Sequence, residues 1–341
     1  MQSVIIKPNI DRALSDLLFK KKYARIGVLT DSHTFKLCLP LISGSLPAHH
    51  IIKVPAGEKY KTLDTCVAIW KRLTALGFDR HSVLVVVGGG VLGDMGGFCA
   101  ATYKRGIDFV LVPTTLLSQV DASVGGKLGI DFLGYKNHIG IFQEPQATLI
   151  SSNFLKTLPL RELRSGFAEV IKHCLISDVD QWKNILKKDL RQQNWDRLIE
   201  FSCRFKSSVV QTDPHEKGLR KILNFGHTVG HALESHFLHT RKPLLHGEAI
   251  AIGMIVEAHI AMQKKMLSPQ NLKEISGYIL SLFGKQKLPG TNQIMKRMVQ
   301  DKKNREGKIL MALPESIGRA VWDVAVAEVE IVRGLGYYQS C

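Results

Sequence analysis

The chain lacks the features that would place it in a membrane or outside the cell. No run approaches 18 apolar residues, so no membrane-spanning helix is expected. The segment Met1–Pro8 lacks the long apolar stretch of a secretory signal peptide. The 6 cysteines are scattered without a CxxC pair, which predicts reduced, mostly buried thiols rather than disulfides or a thiolate zinc site. We therefore expect a cytoplasmic protein with no membrane partner.

The chain also lacks internal repeats, low-complexity tracts and any basic stripe with interleaved aromatic residues. The absence of such a stripe argues against nucleic acid as a partner, although the formal net charge is +16. Two interpretations of this charge stay open: an ordinary solvated surface, or a field that draws an anionic substrate into a cleft. With 341 residues and 45% hydrophobic content, the chain is globular and long enough for two domains.

The first half of the chain alternates between strand and helix patterns. Tyr23–Asp31 and His50–Val54 indicate strands, and Thr62–Leu76 indicates a helix capped by Thr62. Ser82–Val87 is an apolar, β-branched run, which is typical of a parallel strand covered on both faces. This alternation predicts a doubly wound, largely parallel sheet. Further along, residues 101–103 and 108–112 are consistent with a β-hairpin.

The second half has a helical period and almost no strand pattern. His246–Met266 and Asn271–Phe283 are long helical stretches, and Pro159 interrupts the pattern between the two halves. We therefore predict an α/β nucleotide-binding domain at residues 1–157 and an all-α metal- and substrate-binding domain at residues 158–341.

A glycine-rich turn follows the apolar strand at Ser82–Val87. Gly88, Gly90 and Gly93 satisfy G-x-G-x-x-G, in which backbone without a Cβ approaches a pyrophosphate closely. The N–H groups at the start of the next helix would face the phosphates. Thr114 adds a hydroxyl at the end of a later strand. A tight turn followed by a capped helix explains the same residues without a nucleotide, so both interpretations stay open.

A basic cluster lies in the glycine-rich stretch 124–138. Its lysines on flexible backbone could close around phosphate or carboxylate oxygens, and a solvated loop is the alternative. The polar members of the cluster are Lys127, Lys136, Asn137 and His138.

Three separate segments of the second half carry residues that suit a metal ion. Glu169 shares a helix face with Lys172 and His173 at spacings of three and four. Two imidazoles and a carboxylate with one position open are the ligand set of a catalytic zinc. Spacing alone leaves the ligands unsettled among the histidines, while Glu248 suits a role behind a ligand. The candidate histidines are His173, His227, His231, His236, His239 and His246.

Over nearly its whole length the chain resembles the 3-dehydroquinate synthases of the sugar-phosphate cyclase superfamily. The matching segments occur in the family's order. They are Pro55–Lys61, Gly88–Asp94, Tyr103–Gly106, Pro113–Lys127, Gly166–Lys172, Gly218–Ala232 and His246–Glu248.

The resemblance implies two cofactors, NAD and one divalent metal ion, zinc or cobalt. The metal ligands would be Glu169, His227 and His246. His33 departs from the asparagine that the family often has near the adenosine end of NAD. The residues implied at NAD are Asp31, Glu58, Lys61, Gly89, Gly90, Val91, Asp94, Thr114, Thr115, Asp121, Lys127, Lys136, Thr157 and Leu158.

The resemblance also implies a substrate, an anionic seven-carbon sugar acid phosphate. His231 would relay protons, and Lys303 is preferred over Lys302 as a further substrate contact. A homodimer is implied, in which Arg105 reaches across the interface. The residues implied at the substrate are Arg105, Lys127, Asn137, Lys172, Lys206, Arg220, Asn224, His231 and Lys303.

The implied reaction turns the sugar phosphate into 3-dehydroquinate and inorganic phosphate. Transient oxidation by NAD precedes phosphate elimination, and reduction, ring opening and an intramolecular aldol closure follow. Two alternatives stay open: another sugar-phosphate cyclase of the superfamily, and a metal-dependent polyol dehydrogenase that releases NADH.

Overall fold

The structure, a computed structural model, describes residues 4–122, 125–133, 135–238, 240–299 and 309–341. By internal contacts the chain divides into two units. The first comprises the residues up to Leu163 together with Trp195–Cys203, and the second comprises Arg164–Asn194 and the residues from Arg204 onward. The domain boundary between residues 157 and 158 stays a prediction. None of the helices in the described ranges is long and apolar enough to cross a membrane.

The first unit is built on a six-stranded sheet in the order β1-β8-β5-β4-β2-β3, in which every pair is parallel. Strands β6 and β7 form a separate antiparallel hairpin. The strands are β1 (Val4–Ile6), β2 (Ile26–Asp31), β3 (His50–Val54), β4 (Val83–Gly88), β5 (Asp108–Pro113), β6 (Lys127–Phe132), β7 (Tyr135–Phe142) and β8 (Ala147–Ile150). The helices are α1 (Asp11–Lys21), α2 (Thr34–Leu37), α3 (Leu63–Ala75) and α4 (Gly90–Thr102).

Strand β4 shows why its sequence has no polar alternation. Val83, Val85 and Val87 belong to the core on one face of the sheet. Leu84 and Val86 belong to the core on the other face. Both faces of the strand are buried, so every position is apolar. The predicted doubly wound, parallel sheet is confirmed.

The hairpin predicted across residues 101–112 is wrong. Residues 101 and 102 complete helix α4, and β5 pairs in parallel with β4 instead of folding back on its own preceding segment. Helix α4 packs closely on the sheet at Gly96. A Cβ added there would lie 2.7 Å from a Leu29 side-chain atom and 2.9 Å from one of Val86. Residues 101 and 102 thus continue a helix that is packed on the sheet, a tertiary context that can outweigh local β-propensity.

The glycine-rich stretch at 124–138 is not a loop throughout its described part. Lys127 begins β6, and Asn137 lies in β7 with a positive φ of 49°. Gly129 and Gly140 face each other in this hairpin, where the two backbones approach closely. The glycines therefore serve strand pairing as well as turns.

The second unit is helical, as predicted, with one addition. Strands β9 (Ile309–Ser316) and β10 (Arg319–Val326) form an antiparallel hairpin that the sequence analysis did not predict. Gly318 has a φ of +89° in the turn between them. The helices in the rest of the chain are α5 (Leu160–Ser177), α6 (Val179–Leu186), α7 (Trp195–Thr212), α8 (His227–Phe237), α9 (His246–Gln263), α10 (Pro269–Phe283), α11 (Thr291–Val299) and α12 (Glu328–Ser340).

Candidate functional site

The glycine turn of the first unit connects the carboxyl end of β4 to the start of α4. A Cβ at Gly88 would lie 2.6 Å from Leu92, and one at Gly89 would lie 3.0 Å from Thr115. The Thr114 N–H donates to the Gly88 carbonyl oxygen at 3.0 Å, which joins the ends of β4 and β5. Close packing therefore requires glycine at both positions, and the N–H groups at the N-terminus of α4 beside them are suited to phosphate.

Asp31 lies at the point where the connections of the sheet change direction. It ends β2, which neighbours β4, and the chain leaves β2 toward β3 but leaves β4 toward β5 on the other side. Nucleotides bind in the crevice at such a switch point. The Asp31 carboxylate accepts the N–H groups of His33 and Thr34 at 2.8 Å each, so its position is fixed by its own turn.

Lys61 connects two of the predicted groups of the first unit. Its buried Nζ donates to Asp94 Oδ2 at 2.6 Å and to Asn137 Oδ1 at 2.5 Å. Burial raises the pKa of Asp94, although the charge of Lys61 opposes that shift. Lys136 forms a more exposed pair with Glu58, with 3.2 Å between Nζ and Oε1. The structure therefore brings Asp94 and Asn137 together around one buried ammonium group, and Lys136 pairs with Glu58 separately.

The other predicted NAD residues lie at the same end of the sheet or on the segments that follow it. A pocket in the first unit is lined by residues that include Gly88, Gly89, Gly90, Asp94 and Lys127. Asp121 lies in the short helical turn Ser118–Ala122, and Leu158 ends the 3-10 helix Ser152–Thr157. Val91 lies in the first turn of α4.

Cys38 and Gln119 are two contributors to this region that the sequence analysis missed. Burial raises the pKa of the Cys38 thiol, although hydrogen bonds to Thr157 and Thr114 lower it. Cys38 thus lies beside two predicted NAD residues. The buried Gln119 amide donates to the carbonyl oxygens of Pro113 and Ser151, at 3.0 and 2.8 Å. No spacing pattern marks either residue, because both act through contacts between segments.

Two predicted substrate residues are not found with these groups: Arg105 lines a separate pocket, and Lys303 is not among the described residues. Arg105 follows helix α4 with a φ of +67° and lines a pocket of about 240 Å³ with Arg80 and Asp108. Its role across a dimer interface stays a prediction. Lys302 and Lys303 lie outside the described residues.

The second unit gathers the three predicted metal ligands. Glu169 on α5 has its Oε1 3.3 Å from His246 Nε2 and 3.6 Å from His227 Nε2. The ligand atoms of the three residues all lie within 4.8 Å of one another. Glu169 and His227 are buried, and His246 keeps partial exposure. The arrangement fits a three-ligand divalent metal site with an open position.

The imidazole orientations also fit such a site. His227 Nδ1 lies 3.0 Å from the Phe225 carbonyl oxygen, and His246 Nδ1 lies 3.4 Å from Glu234 Oε2. Each Nδ1 therefore has an acceptor for its hydrogen, so that Nε2 is the nitrogen that could offer its lone pair to a bound cation. Histidine ligands of metals almost always have their second nitrogen bonded in this way.

Charged neighbours keep the carboxylate of this centre ionised. Burial alone would raise the pKa of Glu169, but Lys172, His227 and His246 hold it well below its usual range. Burial and the positive charge of Lys172 hold the pKa of His227 well below its usual range. Burial would lower the pKa of His246, but hydrogen bonds to Glu169 and Glu234 raise it to about 10. Glu169 is thus an anion that an incoming cation can use.

Glu257 on α9 fixes the start of the helix that carries His227. Its Oε2 accepts the Gly226 N–H at 2.6 Å and its Oε1 accepts the Val229 N–H at 3.1 Å. Gly226 has a φ of +79°, which favours glycine. The carboxylate is fully buried and satisfies free N–H groups at the helix N-terminus, where negative charge is stabilised.

The predicted substrate residues of the second unit lie on α5, α7 and α8 and on the segment before α8. The ring centroid of His231 lies 5.1 Å from that of His227 and 6.1 Å from that of His246, so this residue adjoins the ligands. Lys172 forms an ion pair with Glu169. Lys206 is buried on α7.

Asp213, which sequence analysis missed, organises the segment of Arg220 and Asn224. Its carboxylate accepts the N–H groups of Lys217, Gly218 and Arg220 at 3.0, 2.7 and 3.1 Å. The buried Arg220 guanidinium donates to the Pro214 carbonyl oxygen at 2.8 Å. Asn224 Nδ2 donates to Glu216 Oε1 at 2.8 Å.

The remaining histidine candidates and Glu248 are not part of the trio of Glu169, His227 and His246, although His173 offers a ligand atom within 4.8 Å of Glu169 in a separate group. The ring of His173 lies 5.5 Å from that of Phe205, and the ring of His236 lies 5.1 Å from that of Phe237. His239 lies outside the described residues. The Glu248 side chain accepts the Leu245 N–H at 2.8 Å and so caps α9. The carboxylate that lies 3.4 Å from His246 Nδ1 is that of Glu234.

The architecture and the two candidate sites define a class: an enzyme with a doubly wound nucleotide-binding unit and a helical unit that gathers metal-type ligands. Sequence profiles agree with this class and narrow it. The profile of the 3-dehydroquinate synthase N-terminal domain matches residues 51–165, and that of its C-terminal domain matches residues 166–304. The chain belongs to the 3-dehydroquinate synthase family.

Individual relatives support the same assignment. The 3-dehydroquinate synthase of Parabacteroides distasonis is 36% identical over 347 residues, covering 99% of this chain and 98% of the relative. The structure of 2-epi-5-epi-valiolone synthase from Streptomyces hygroscopicus, with NAD+ and Zn2+ bound, has a TM-score of 0.86 at 26% identity, covering 100% of this chain and 97% of that one. A 2-deoxy-scyllo-inosose synthase, complexed with carbaglucose-6-phosphate, NAD+ and Co2+, has a TM-score of 0.84 at 25% identity, covering 97% and 95%.

Proposed function

We propose that the chain is a 3-dehydroquinate synthase. It would convert 3-deoxy-D-arabino-heptulosonate 7-phosphate to 3-dehydroquinate and inorganic phosphate, as a phosphate-eliminating lyase of the shikimate pathway. The observation that carries this proposal is the gathering of Glu169, His227 and His246 within 4.8 Å, in a chain that resembles a 3-dehydroquinate synthase over 99% of its length. A homodimer in the cytoplasm belongs to the same proposal.

Two cofactors would supply chemistry that side chains lack. The trio Glu169, His227 and His246 would hold a divalent ion, zinc or cobalt, which acidifies substrate hydroxyls. The turn at Gly89 and Gly90 and the other predicted NAD residues would hold NAD, a hydride acceptor that is regenerated in each cycle. The bound NAD+ with Zn2+ or Co2+ of the two cyclase structures supports this pairing.

The side chains of the second unit would bind the polar groups of the substrate and move its protons. Arg220, Lys206 and Lys172 suit its carboxylate and hydroxyls, because ionised donors form the stronger hydrogen bonds to anions. His231 would take and return a proton beside the ligands, and its ring distance of 5.1 Å from His227 supports that role.

In the first unit, Lys127 and Asn137 would bind the phosphate that leaves. Lys127 is exposed at the start of β6 and lines the pocket of the glycine turn. Asn137 Oδ1 accepts from Lys61. Its Nδ2 is the donor that would face a phosphate oxygen.

The test is incubation of the protein with the seven-carbon phosphate, a divalent cation and a trace of NAD. Inorganic phosphate should be released in large excess over the NAD supplied, while absorbance at the wavelength of NADH shows no net accumulation. Stoichiometric NADH would identify a polyol dehydrogenase instead, and the proposal would then be wrong.

A second candidate is another cyclase of the superfamily. The two similar cyclases of known structure are named for other products, 2-epi-5-epi-valiolone and 2-deoxy-scyllo-inosose. The same assay separates the two. Turnover of a different sugar phosphate, with none of the seven-carbon acid phosphate, would favour this candidate.

A further inference from the structure

We propose that Glu234 is a positioning residue that orients His246 and strengthens cation binding without being a ligand. The inference rests on the metal site of the proposed function. It concerns a carboxylate that the sequence pattern did not single out.

Helix α8 presents Glu234 on the same side as the two histidines that precede it. His227, His231 and Glu234 are separated by four and three residues, which places them on one helix face. Glu234 is largely buried, with 11% of its side chain exposed. Its Oε2 lies 3.4 Å from Nδ1 of His246, which comes from the first turn of the neighbouring helix α9.

The His246 ring is thus held between two carboxylates. Its Nε2 lies 3.3 Å from Glu169 Oε1, and its Nδ1 lies 3.4 Å from Glu234 Oε2. A neutral imidazole has one N–H and one lone pair. An ionised carboxylate only accepts hydrogen bonds, so Glu234 would keep the hydrogen at Nδ1 when a cation takes the place of the hydrogen at Nε2, on the side of Glu169 and His227.

His227 and His246 differ in the acceptor that faces their Nδ1. His227 Nδ1 faces the Phe225 carbonyl oxygen at 3.0 Å, which is a neutral acceptor. The acceptor at His246 is a buried anion, which makes its imidazole more basic and hence a stronger donor to a cation. Partners of this kind typically change metal affinity by roughly 10- to 100-fold.

A competing interpretation makes Glu234 a ligand itself. The ligand atoms of His231, Glu234 and His246 also lie within 4.8 Å of one another. Such a site would need the lone pair of His246 at Nδ1, whereas the trio with Glu169 needs it at Nε2. One neutral imidazole cannot serve both, and the Nδ1 hydrogen of His227 on the Phe225 carbonyl oxygen, which turns His227 Nε2 toward Glu169, favours Nε2 for His246 as well.

The experiment compares the wild-type chain with Glu234→Ala and Glu234→Gln, each freed of metal. Co2+ is titrated into each protein while its d–d absorption is recorded, and Zn2+ affinity is measured by competition with a chelator. Thermal unfolding of the metal-free proteins checks the fold. Glu330→Gln is the control, because it removes a carboxylate that pairs with Lys264 rather than with a histidine.

We expect one cation per chain and a Co2+ affinity about 10- to 100-fold weaker in Glu234→Ala. The Co2+ affinity of Glu234→Gln should lie between those of Glu234→Ala and wild type, because the amide oxygen still accepts the hydrogen of His246 Nδ1 but carries no charge. The four-coordinate Co2+ spectrum should persist, since the ligands are unchanged. In the zinc-loaded wild type, a nitrogen-15 spectrum of the histidines should show His246 protonated at Nδ1.

Three results would overturn the inference. They are equal affinities in Glu234→Ala and wild type, a zinc-loaded His246 protonated at Nε2, and two cations per wild-type chain with one lost in the variant. Failure of the wild type to bind any cation would instead remove the metal site of the proposed function. The two failures are therefore distinguishable.

Discussion

Gly253 of α9 lies directly against Gly226, the residue before α8. A Cβ at position 253 would lie 1.9 Å from the Gly226 carbonyl oxygen and 2.9 Å from the Gly230 nitrogen. The two helices carry His246 and His227, so their close approach depends on a glycine at this position.

We therefore predict that Gly253→Ala destabilises the fold and weakens cation binding. The added methyl must displace backbone, and overpacking of this kind costs roughly 1–3 kcal/mol. Urea unfolding and Co2+ titration measure the two effects. Gly277→Ala on α10 is the matched control, because a Cβ there meets no atom within 4 Å, and it should be neutral or stabilising. Equal stability of the two variants would contradict the prediction.

The network around Lys61 leads to a second prediction. Lys61→Met removes the cation that pairs with Asp94 at 2.6 Å, where only 4% of the lysine side chain and 21% of the Asp94 side chain are exposed. Breaking a buried pair leaves an uncompensated charge and costs roughly 3 kcal/mol, the lower end of the usual range because Asp94 keeps some exposure. Urea unfolding at neutral pH is the measurement.

Lys136→Met is the control for the Lys61 variant. It breaks the pair with Glu58, in which the two side chains are 32% and 33% exposed, so less than about 1 kcal/mol should be lost. The interpretation of Lys61 as the centre of a buried network would be wrong if both variants lost the same stability.

The third prediction concerns Lys127, which the proposed function places at the leaving phosphate. Lys127→Ala should lower phosphate release by roughly 10- to 100-fold, the loss expected for one hydrogen bond to a charged group. Its unfolding midpoint should not move, because Lys127 is exposed. Steady-state release of inorganic phosphate measures the effect, with Lys156→Ala as an exposed-lysine control. Unchanged release by the Lys127 variant would refute its assignment.

The ligand trio could be predicted from sequence largely because the family resemblance selected it among the candidate histidines. The residues alone left His173, His236 and His239 open, since spacing of three and four shows which residues share a helix but not which helices meet. For the same reason Glu248, two residues from His246, was expected behind the ligand. The contact came from Glu234 on another helix, which a helical period cannot reveal.

The fold shows a similar division between local and long-range information. The apolar run at β4 was sufficient to predict a buried parallel strand, because burial on both faces leaves a direct mark on composition. Residues 101–103 were misassigned because local β-propensity depends on tertiary context, and residues 101 and 102 continue helix α4, which is packed on the sheet. The β9–β10 hairpin was missed because the helices around it dominated the pattern of the second half.

The last prediction concerns the contribution of Asp213 to stability at low pH. Burial would raise the pKa of Asp213, but hydrogen bonds from Gly218, Lys217 and Arg220 hold it below the usual value of 3.8. Because the pKa is lowered by folding, the stabilising contribution is complete above the unfolded value and is lost as the pH falls toward the folded one. Wild type should therefore lose this contribution below about pH 4.

Asp213→Asn should lack that part of the acid dependence and should be less stable than wild type at pH 6, with the two proteins converging as the pH falls toward 3. Unfolding midpoints in urea at successive pH values measure this convergence. The variant should also raise the KM for the sugar phosphate more than it lowers kcat, because the carboxylate orders the segment of Arg220 before substrate binds. A constant stability difference at every pH would show that the charge of Asp213 is not what holds this segment.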